Sequence, residues 1–410
     1  MACKGPPLLG FSIFMGGIQG LHQSELDLNF NPFPTNLYNS TMKLRIAVAR
    51  LTQVFGCYLL CLAAISQAAP LTVKPMPYKG TMPYVQSDNA KLAQRINNSL
   101  FLETLELPAP AKLQDGLTER QTPERMSSIS DITFEVGRND ERIFALSVSA
   151  EGCGAYCEHY TNYFNFDAAT GRRLTADDLF APAGAAKLLK QLDALRLARV
   201  KAEIAKIRYE AKAEKGKPQP KENQEYFSDK IDMLERCVAT MTDPEMAKYW
   251  TLGTDKLKIG KDAITFERGR CSNHASRALD DIGEMTNAFP IKDITLHLSA
   301  YGNALLLGAG NALSGGGPFN QVLVGKVGQS PITMRLGARN SDDSVSSVYY
   351  YDKYRTPIAL FGKVSNGVLT LTESDSKDKV LPVIRATISG ESLKGQWIGN
   401  GRQFPFEVGP

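Results

Sequence analysis

The stretch that most constrains the fold runs from Gly152 to Phe180, where two cysteines bracket a short turn and an aromatic strand follows. Cys153 and Cys157 are separated only by the small and flexible residues 154–156. A chain that turns there brings the two α-carbons within the ~4.4–6.8 Å that a disulfide needs. The residues at Asp167–Gly171 suit a further turn, capped by the aspartate and closed by glycine at positive φ. The stretch therefore predicts a tight turn closed by a disulfide, then an aromatic strand, a turn at Asp167–Gly171 and the start of a helix.

A leader-like order of residues begins at Met42. Positive charges come first, an apolar run over Leu51–Ile65 follows, and small residues end at Ala68, which is the order of a secretory signal peptide. The apolar run has about fifteen residues, fewer than the ~20 that a membrane-spanning helix needs. We therefore expect residues 1–41 to be a mis-assigned start and residues 42–68 to be a signal peptide. The chain would then work in the periplasm or outside the cell, without a membrane span after cleavage.

Cleavage of that leader would leave an even number of cysteines in an oxidising compartment. Of the seven cysteines, those at positions 3, 57 and 61 would be removed. The remaining four permit three pairings. The short spacing favours Cys153–Cys157, which leaves Cys237–Cys271 as the second disulfide.

Charge and motifs exclude several classes of function. The formal net charge is +4, from 47 basic and 43 acidic residues, a balance too even to predict a nucleic-acid partner. The Gly-rich segment 308–318 lacks the Gly-Lys-Ser/Thr ending of a phosphate loop. Cys271 and His274 have the spacing of half a metal site, but a second cluster at zinc spacing is missing. We therefore expect no cofactor and no metal.

Periodicity indicates an α+β protein. Strands are predicted over 131–138 and 142–150, and alternation predicts another over Ile294–Leu298. Helices are predicted over 185–215, 223–240 and 275–285. In the first of these helices, the apolar stripe is expected to include Leu188, Leu192, Leu195 and Tyr209. We expect residues 69–307 to form a mixed helix and antiparallel-sheet domain with a helical insertion at 185–240.

After the expected linker at 308–318 the pattern changes to short β runs separated by turn residues. The predicted strands span 320–327, 331–336, 345–351, 357–364, 367–372, 381–388, 392–398 and 402–408. Residues 319–410 are therefore expected to form a separate antiparallel β domain, either a small up-and-down barrel or a sandwich.

Two groups of residues are candidates for binding. The first is Tyr156, Glu158, His159 and Tyr160, beside the cysteines. The second is an aromatic patch with Tyr349 and Tyr351, where alternation places some rings on the outside of a strand. Neighbours on a strand point to opposite faces, so Glu158 and His159 do not make a convincing acid–base pair. We expect no catalytic residue; the alternative is a hydrolase of cell-wall material that uses Glu158 and His159.

The segment from Asp131 to Phe180 resembles the noncatalytic extracellular domain of PdaC-type peptidoglycan deacetylases and RsiV-type anti-sigma factors. The matching motifs are Asn165-Phe-Asp167, Thr170-Gly171 and Asp178-Leu-Phe180, and the predicted helix Leu92–Leu100 is similar to an early helix of that family. A cysteine-bracketed turn replaces the family's glycine-histidine turn.

The resemblance implies a noncatalytic α+β binding module outside the cytoplasm, which contacts lysozyme in some members. Deacetylase activity and transmembrane signalling do not carry over. We therefore expect a secreted or periplasmic binding protein whose partner is a protein or a glycan of the cell envelope. The sequence leaves its oligomeric state open.

Overall fold

The computed structural model describes residues 70–117, 128–154, 156–214, 221–310, 316–374 and 380–410. All of them belong to one compact unit, Ser66–Pro410. The expected signal peptide and residues 311–315 of the Gly-rich segment lie outside the described residues. Among the described residues, no helix combines the length and apolar character needed to cross a membrane.

The first part of this unit is an α+β arrangement, as predicted. Its strands are β1 (Thr72–Pro77), β2 (Thr81–Gln86), β3 (Ile129–Asn139), β4 (Ile143–Cys153), β5 (Cys157–Asp167), β6 (Lys256–Ile259), β7 (Ala263–Arg268) and β8 (Met285–Pro290). Its helices are α1 (Ala90–Thr104), α2 (Ala176–Leu179), α3 (Pro182–Glu214), α4 (Lys221–Thr242), α5 (Pro244–Ala247) and α6 (Ala300–Leu307). The strands form three antiparallel sheets, β1-β2, β3-β4-β5 and β6-β7-β8.

Strand β4 is central because both of its faces are buried. Phe144 and Leu146 pack into a core with α1 and the β1-β2 hairpin. Ile143 and Ala145, on the other face, pack with β6, β7 and α6. The Asn165 side chain on β5 fixes the neighbouring sheet, because its Nδ2 donates to the Leu257 oxygen at 2.7 Å and its Oδ1 accepts from the Ile259 nitrogen at 3.0 Å. These two buried hydrogen bonds fix the position of β5 relative to β6.

The helices predicted over 185–215 and 223–240 are confirmed as α3 and α4, and they share a small apolar core with Ile282 and Met285. The predicted apolar stripe is partly wrong. Leu188 and Leu192 are buried, but Leu195 and Tyr209 are exposed, and Arg196 takes the buried position instead. Arg196 is accommodated there because the buried carboxylate of Asp255 accepts a hydrogen bond from its Nη2 at 2.7 Å.

Two other predictions of secondary structure are wrong. Residues 275–285 form only a 3₁₀ turn at Arg277–Leu279, because the Asp280 side chain accepts from nearby backbone N–H groups and competes with a helix. The strand predicted over Ile294–Leu298 is a 3₁₀ turn at Thr295–His297. Helix α6 follows directly, capped by the Ser299 hydroxyl, which accepts from the Gly302 nitrogen.

The C-terminal part is a closed antiparallel barrel with all eight predicted strands, and the sandwich alternative is excluded. The strands are β9 (Gln321–Val327), β10 (Ser330–Arg339), β11 (Ser344–Tyr351), β12 (Ile358–Ser365), β13 (Val368–Glu373), β14 (Val383–Ser389), β15 (Ser392–Gly399) and β16 (Arg402–Gly409). Each strand pairs with the next, and β16 closes on β9. Apolar side chains fill the interior, as expected for a barrel of this size.

The barrel contacts α1 and the turn after β5 through charged and polar side chains. Glu103 on α1 forms an ion pair with Arg335 of the barrel at 2.9 Å and another with Arg173 at 3.5 Å. The Gln321 side chain accepts from the Arg173 nitrogen and donates to the Arg173 oxygen. Buried Arg172 forms an ion pair with Glu391 at 3.2 Å. These contacts join the barrel to the α+β part within one compact unit.

Changing Glu103 to Gln is expected to lower the free energy of unfolding by about 1–2 kcal/mol at pH 7, because the variant loses charge-assisted hydrogen bonds. Burial raises the pKa of Glu103, but the charges of Arg173 and Arg335 outweigh that effect and lower it below the ordinary value of 4.5. The folded state therefore keeps Glu103 ionised at a pH where the unfolded chain protonates it. The stabilisation is complete above pH 4.5 and is lost as the pH falls through the lowered pKa.

Denaturant unfolding at pH 7 and at successively lower pH measures this difference. The exposed Glu135, whose side chain forms no hydrogen bond or ion pair among the described residues, supplies the control variant Glu135→Gln. A Glu103→Gln variant whose stability difference from the unmodified chain stayed constant down to pH 3 would contradict the assignment.

Candidate functional site

The tip of the β4-β5 hairpin is held by the predicted disulfide. Cys153 and Cys157 are bonded and face each other in the strand register. The Gly154 nitrogen donates to the Tyr156 oxygen at 3.0 Å, and Ala155 lies outside the described residues. The Tyr156 side chain, at 75% exposure, stands at this constrained tip. Tyrosine is enriched at interfaces, because its ring offers apolar contact area and its hydroxyl forms hydrogen bonds.

Glu158 contacts the loop that precedes β8. Its two carboxylate oxygens lie 3.0 Å from Nε2 of His274 and 3.2 Å from Nη2 of Arg277. No local pattern in the sequence pairs these residues, because more than a hundred positions separate Glu158 from the other two along the chain. The one feature that they share in the sequence is a nearby cysteine. Glu158 follows Cys157 directly, and His274 comes three residues after Cys271.

His159 has a different partner, as the alternation along a strand predicts. Its Nε2 lies 3.1 Å from Oε1 of Glu151, the residue opposite it on β4. The Ser130 hydroxyl donates to the other oxygen of Glu151 at 2.7 Å. Glu158 and His159 therefore do not contact each other, and the structure does not assemble them as an acid–base pair.

A possible set of metal ligands lies at the same tip. Histidine, cysteine, aspartate and glutamate side chains can bind metal ions. In the described part of the chain, one group of three such residues has all its ligand atoms within 4.8 Å of one another, namely Glu151, Cys153 and Cys157. Both sulfur atoms belong to the disulfide, so neither is available as the thiolate that a metal binds.

The tyrosines near the hairpin differ in exposure. Tyr160 is about one third exposed, and burial raises its pKa. Tyr163, further along β5, donates from its hydroxyl to Oε2 of Glu267 at 2.9 Å. Burial and this hydrogen bond raise the pKa of Tyr163 to about 12. Tyr163 therefore stays neutral at physiological pH and acts as a hydrogen-bond donor.

The second disulfide, Cys237–Cys271, is also formed as predicted. It ties α4 to the loop that carries His274 and Arg277. Because these two residues contact Glu158, the second disulfide anchors a loop that lies against one face of the hairpin tip, while His159 lies on the other face. We call the tip with the side chains on its two faces, Tyr156, Glu158, His159, His274 and Arg277, the hairpin surface.

The predicted aromatic patch on the barrel is wrong for Tyr349. Its ring is buried inside the barrel, and its hydroxyl donates to Oε1 of Glu373 at 2.6 Å. Tyr350 points to the outside of the barrel but is also buried, because α1 covers it and its hydroxyl donates to Asn98 at 3.2 Å. Tyr351 is half-buried, with its ring 5.6 Å from that of Tyr349. A binding role for Tyr351 stays a prediction.

No family model matches the chain, and no curated protein matches it. One solved structure that is similar is a member of the DUF3298 family from Bacteroides fragilis. The similarity has a TM-score of 0.36 and 14% sequence identity, and it covers 58% of this chain and 97% of that chain.

Proposed function

We propose that this chain is a noncatalytic binding protein that works outside the cytoplasm and recognises a protein or a glycan of the cell envelope. The observation that carries the proposal is the hairpin surface, where a disulfide holds an exposed tyrosine beside two contacts between a carboxylate and a histidine. Pre-organisation of this kind lowers the entropy cost of binding. The two disulfides and the leader-like sequence before residue 69 support a location in an oxidising compartment.

The sequence resemblance supports the choice of partner. The motifs of residues 131–180 resemble a module that contacts lysozyme in some of its members. Lysozyme is therefore the first protein to test, and soluble peptidoglycan fragments are the first glycans. Tyrosine can serve either class, since its ring stacks on sugars and anchors protein contacts while its hydroxyl forms hydrogen bonds.

Changing Tyr156 to Ala is expected to weaken binding to the partner about tenfold or more, because an exposed aromatic anchor contributes about 2 kcal/mol at an interface. Calorimetry of the full chain with lysozyme and with peptidoglycan fragments measures the effect. The matched control is Tyr209→Ala on α3, since Tyr209 has nearly the same exposure, 76% against 75%, but lies on another element.

Binding of neither probe, or equal loss of affinity in the two variants, would contradict the proposal. Hydrolysis of peptidoglycan that Glu158→Gln or His159→Ala abolishes would replace it with the cell-wall hydrolase.

A further inference from the structure

A second site lies beside the Cys237–Cys271 disulfide, outside the hairpin surface. It is a cavity of about 440 Å³, within the range of roughly 300–1,000 Å³ that is usual for small-molecule sites. Apolar and polarizable side chains line it together with the disulfide: Met233, Met241, Met285 and Trp250. Methionine adapts to irregular ligand shapes, and tryptophan offers a flat apolar face. The cavity can therefore hold an apolar or aromatic group.

The charged residues of the lining are all arginines, Arg236, Arg268 and Arg270, and no acidic residue lines the cavity. Arg270 is paired with Glu284. Arg236, on α4, is exposed, and its guanidinium makes no hydrogen bond or ion pair within the part of the chain that the structure describes. The lining thus holds at least one guanidinium whose charge no carboxylate balances.

Arg268 is held in place and still has an unused donor. Its Nε donates to Asp255 at 2.9 Å and its Nη1 to Asp193 at 2.7 Å. Its guanidinium lies over the ring of Trp250, 4.8 Å from the centroid. Its Nη2 is buried and has no hydrogen-bond partner among the described residues. A buried donor without an acceptor is costly, so an acceptor supplied by a ligand in the cavity would stabilise the site.

We propose that this cavity binds a small organic carboxylate with an aromatic or apolar body. The body packs against the methionines and Trp250, and the carboxylate accepts hydrogen bonds from Arg236 and Arg268. Guanidinium groups suit carboxylates because their N–H donors match the two oxygens. This inference does not rest on the proposed envelope partner, since the cavity and the hairpin surface use different residues.

The test uses the full chain and the probe 2-naphthoate, with the neutral 2-naphthamide as its isosteric comparison. Calorimetry is expected to show binding of 2-naphthoate at least tenfold tighter than that of 2-naphthamide. Arg236→Ala removes the unpaired charge, and Thr240→Glu places a negative charge at an exposed position of the lining. Each variant is expected to weaken 2-naphthoate binding about tenfold.

The control is Arg402→Ala, which removes an exposed arginine from the barrel and should leave the affinity unchanged. All the substituted positions are exposed, so equal thermal unfolding of the variants is the check on folding. Absence of 2-naphthoate binding at millimolar concentration, equal binding of the neutral amide, or insensitivity to both cavity variants would overturn the proposal. Tyr156→Ala is expected to leave this affinity unchanged, which separates failure here from failure of the envelope partner.

Discussion

Replacement of Asp255 by alanine is expected to lower the free energy of unfolding by about 3–5 kcal/mol, because it leaves buried guanidinium groups without their carboxylate. The Asp255 side chain is fully buried between Arg196 and Arg268. Its two oxygens lie 2.7 Å from Nη2 of Arg196 and 2.9 Å from Nε of Arg268. Asp193, which also contacts both arginines, is on the helix of Arg196 and does not replace the link to β6.

Guanidinium-induced unfolding at pH 7 measures this loss. The matched control is Asp262→Ala, an exposed aspartate a few residues away, whose substitution should change stability by about 0.5 kcal/mol or less. The double variant Arg196→Met/Asp255→Leu should recover the part of the loss that comes from Arg196, because apolar side chains can replace a buried ion pair at little cost. Arg268 keeps its ion pair with Asp193 in that variant. A loss below about 1 kcal/mol for Asp255→Ala would contradict this expectation. It would show that water molecules or a local movement of the chain provide new hydrogen-bond partners for the two arginines.

Removal of the Cys237–Cys271 disulfide is expected to destabilise the chain more than removal of Cys153–Cys157. The first bridge joins residues 34 positions apart and the second only 4. In the chain-entropy model these loops correspond to about 3–4 and about 2 kcal/mol, because the longer crosslink removes more freedom from the unfolded chain. The short bridge is expected to matter chiefly for the shape of the tip that carries Tyr156.

Thermal unfolding of the paired variants Cys237→Ser/Cys271→Ser and Cys153→Ser/Cys157→Ser tests this order without leaving a free thiol that could mispair. In the presence of a dithiol reductant the difference between each variant and the unmodified chain should disappear. A larger effect from the short bridge would show that native-state contacts, and not unfolded-state entropy, dominate its contribution.

Much of the local structure was predictable because its causes lie within a few residues of one another. The Asp167 side chain accepts from the nitrogens of Ala169 and Thr170, and Gly171 has a φ of +69°, as the predicted turn requires. Thr175 and Asp178 form the capping interaction at the start of α2. Apolar alternation in the last part of the chain indicated the barrel strands. Each of these structures depends on residues that are close together in the sequence.

The candidate site could be predicted only in part. Spacing indicated the pairing of Cys153 with Cys157, and alternation separated Glu158 from His159. The partners of Glu158 were not predictable, since His274 and Arg277 come from a loop whose position depends on α4 and the Cys237–Cys271 disulfide. The arginine-lined cavity had no local signal at all, because its lining joins α4, β7 and the loops beside them.

By itself, the sequence determined most of the strand and helix segments, the turn between Cys153 and Cys157 and the pairing of cysteines, because spacing and periodicity act between neighbours in the chain. Only the tertiary structure decided which faces are buried. Arg196 lies inside because Asp255 is there to meet it, while Leu195 beside it is exposed. Tyr349 and Tyr350 point to opposite sides of β11 and are both buried, because the barrel interior covers one and α1 covers the other. Periodicity orients side chains relative to one another, but burial depends on elements that arrive from distant parts of the chain.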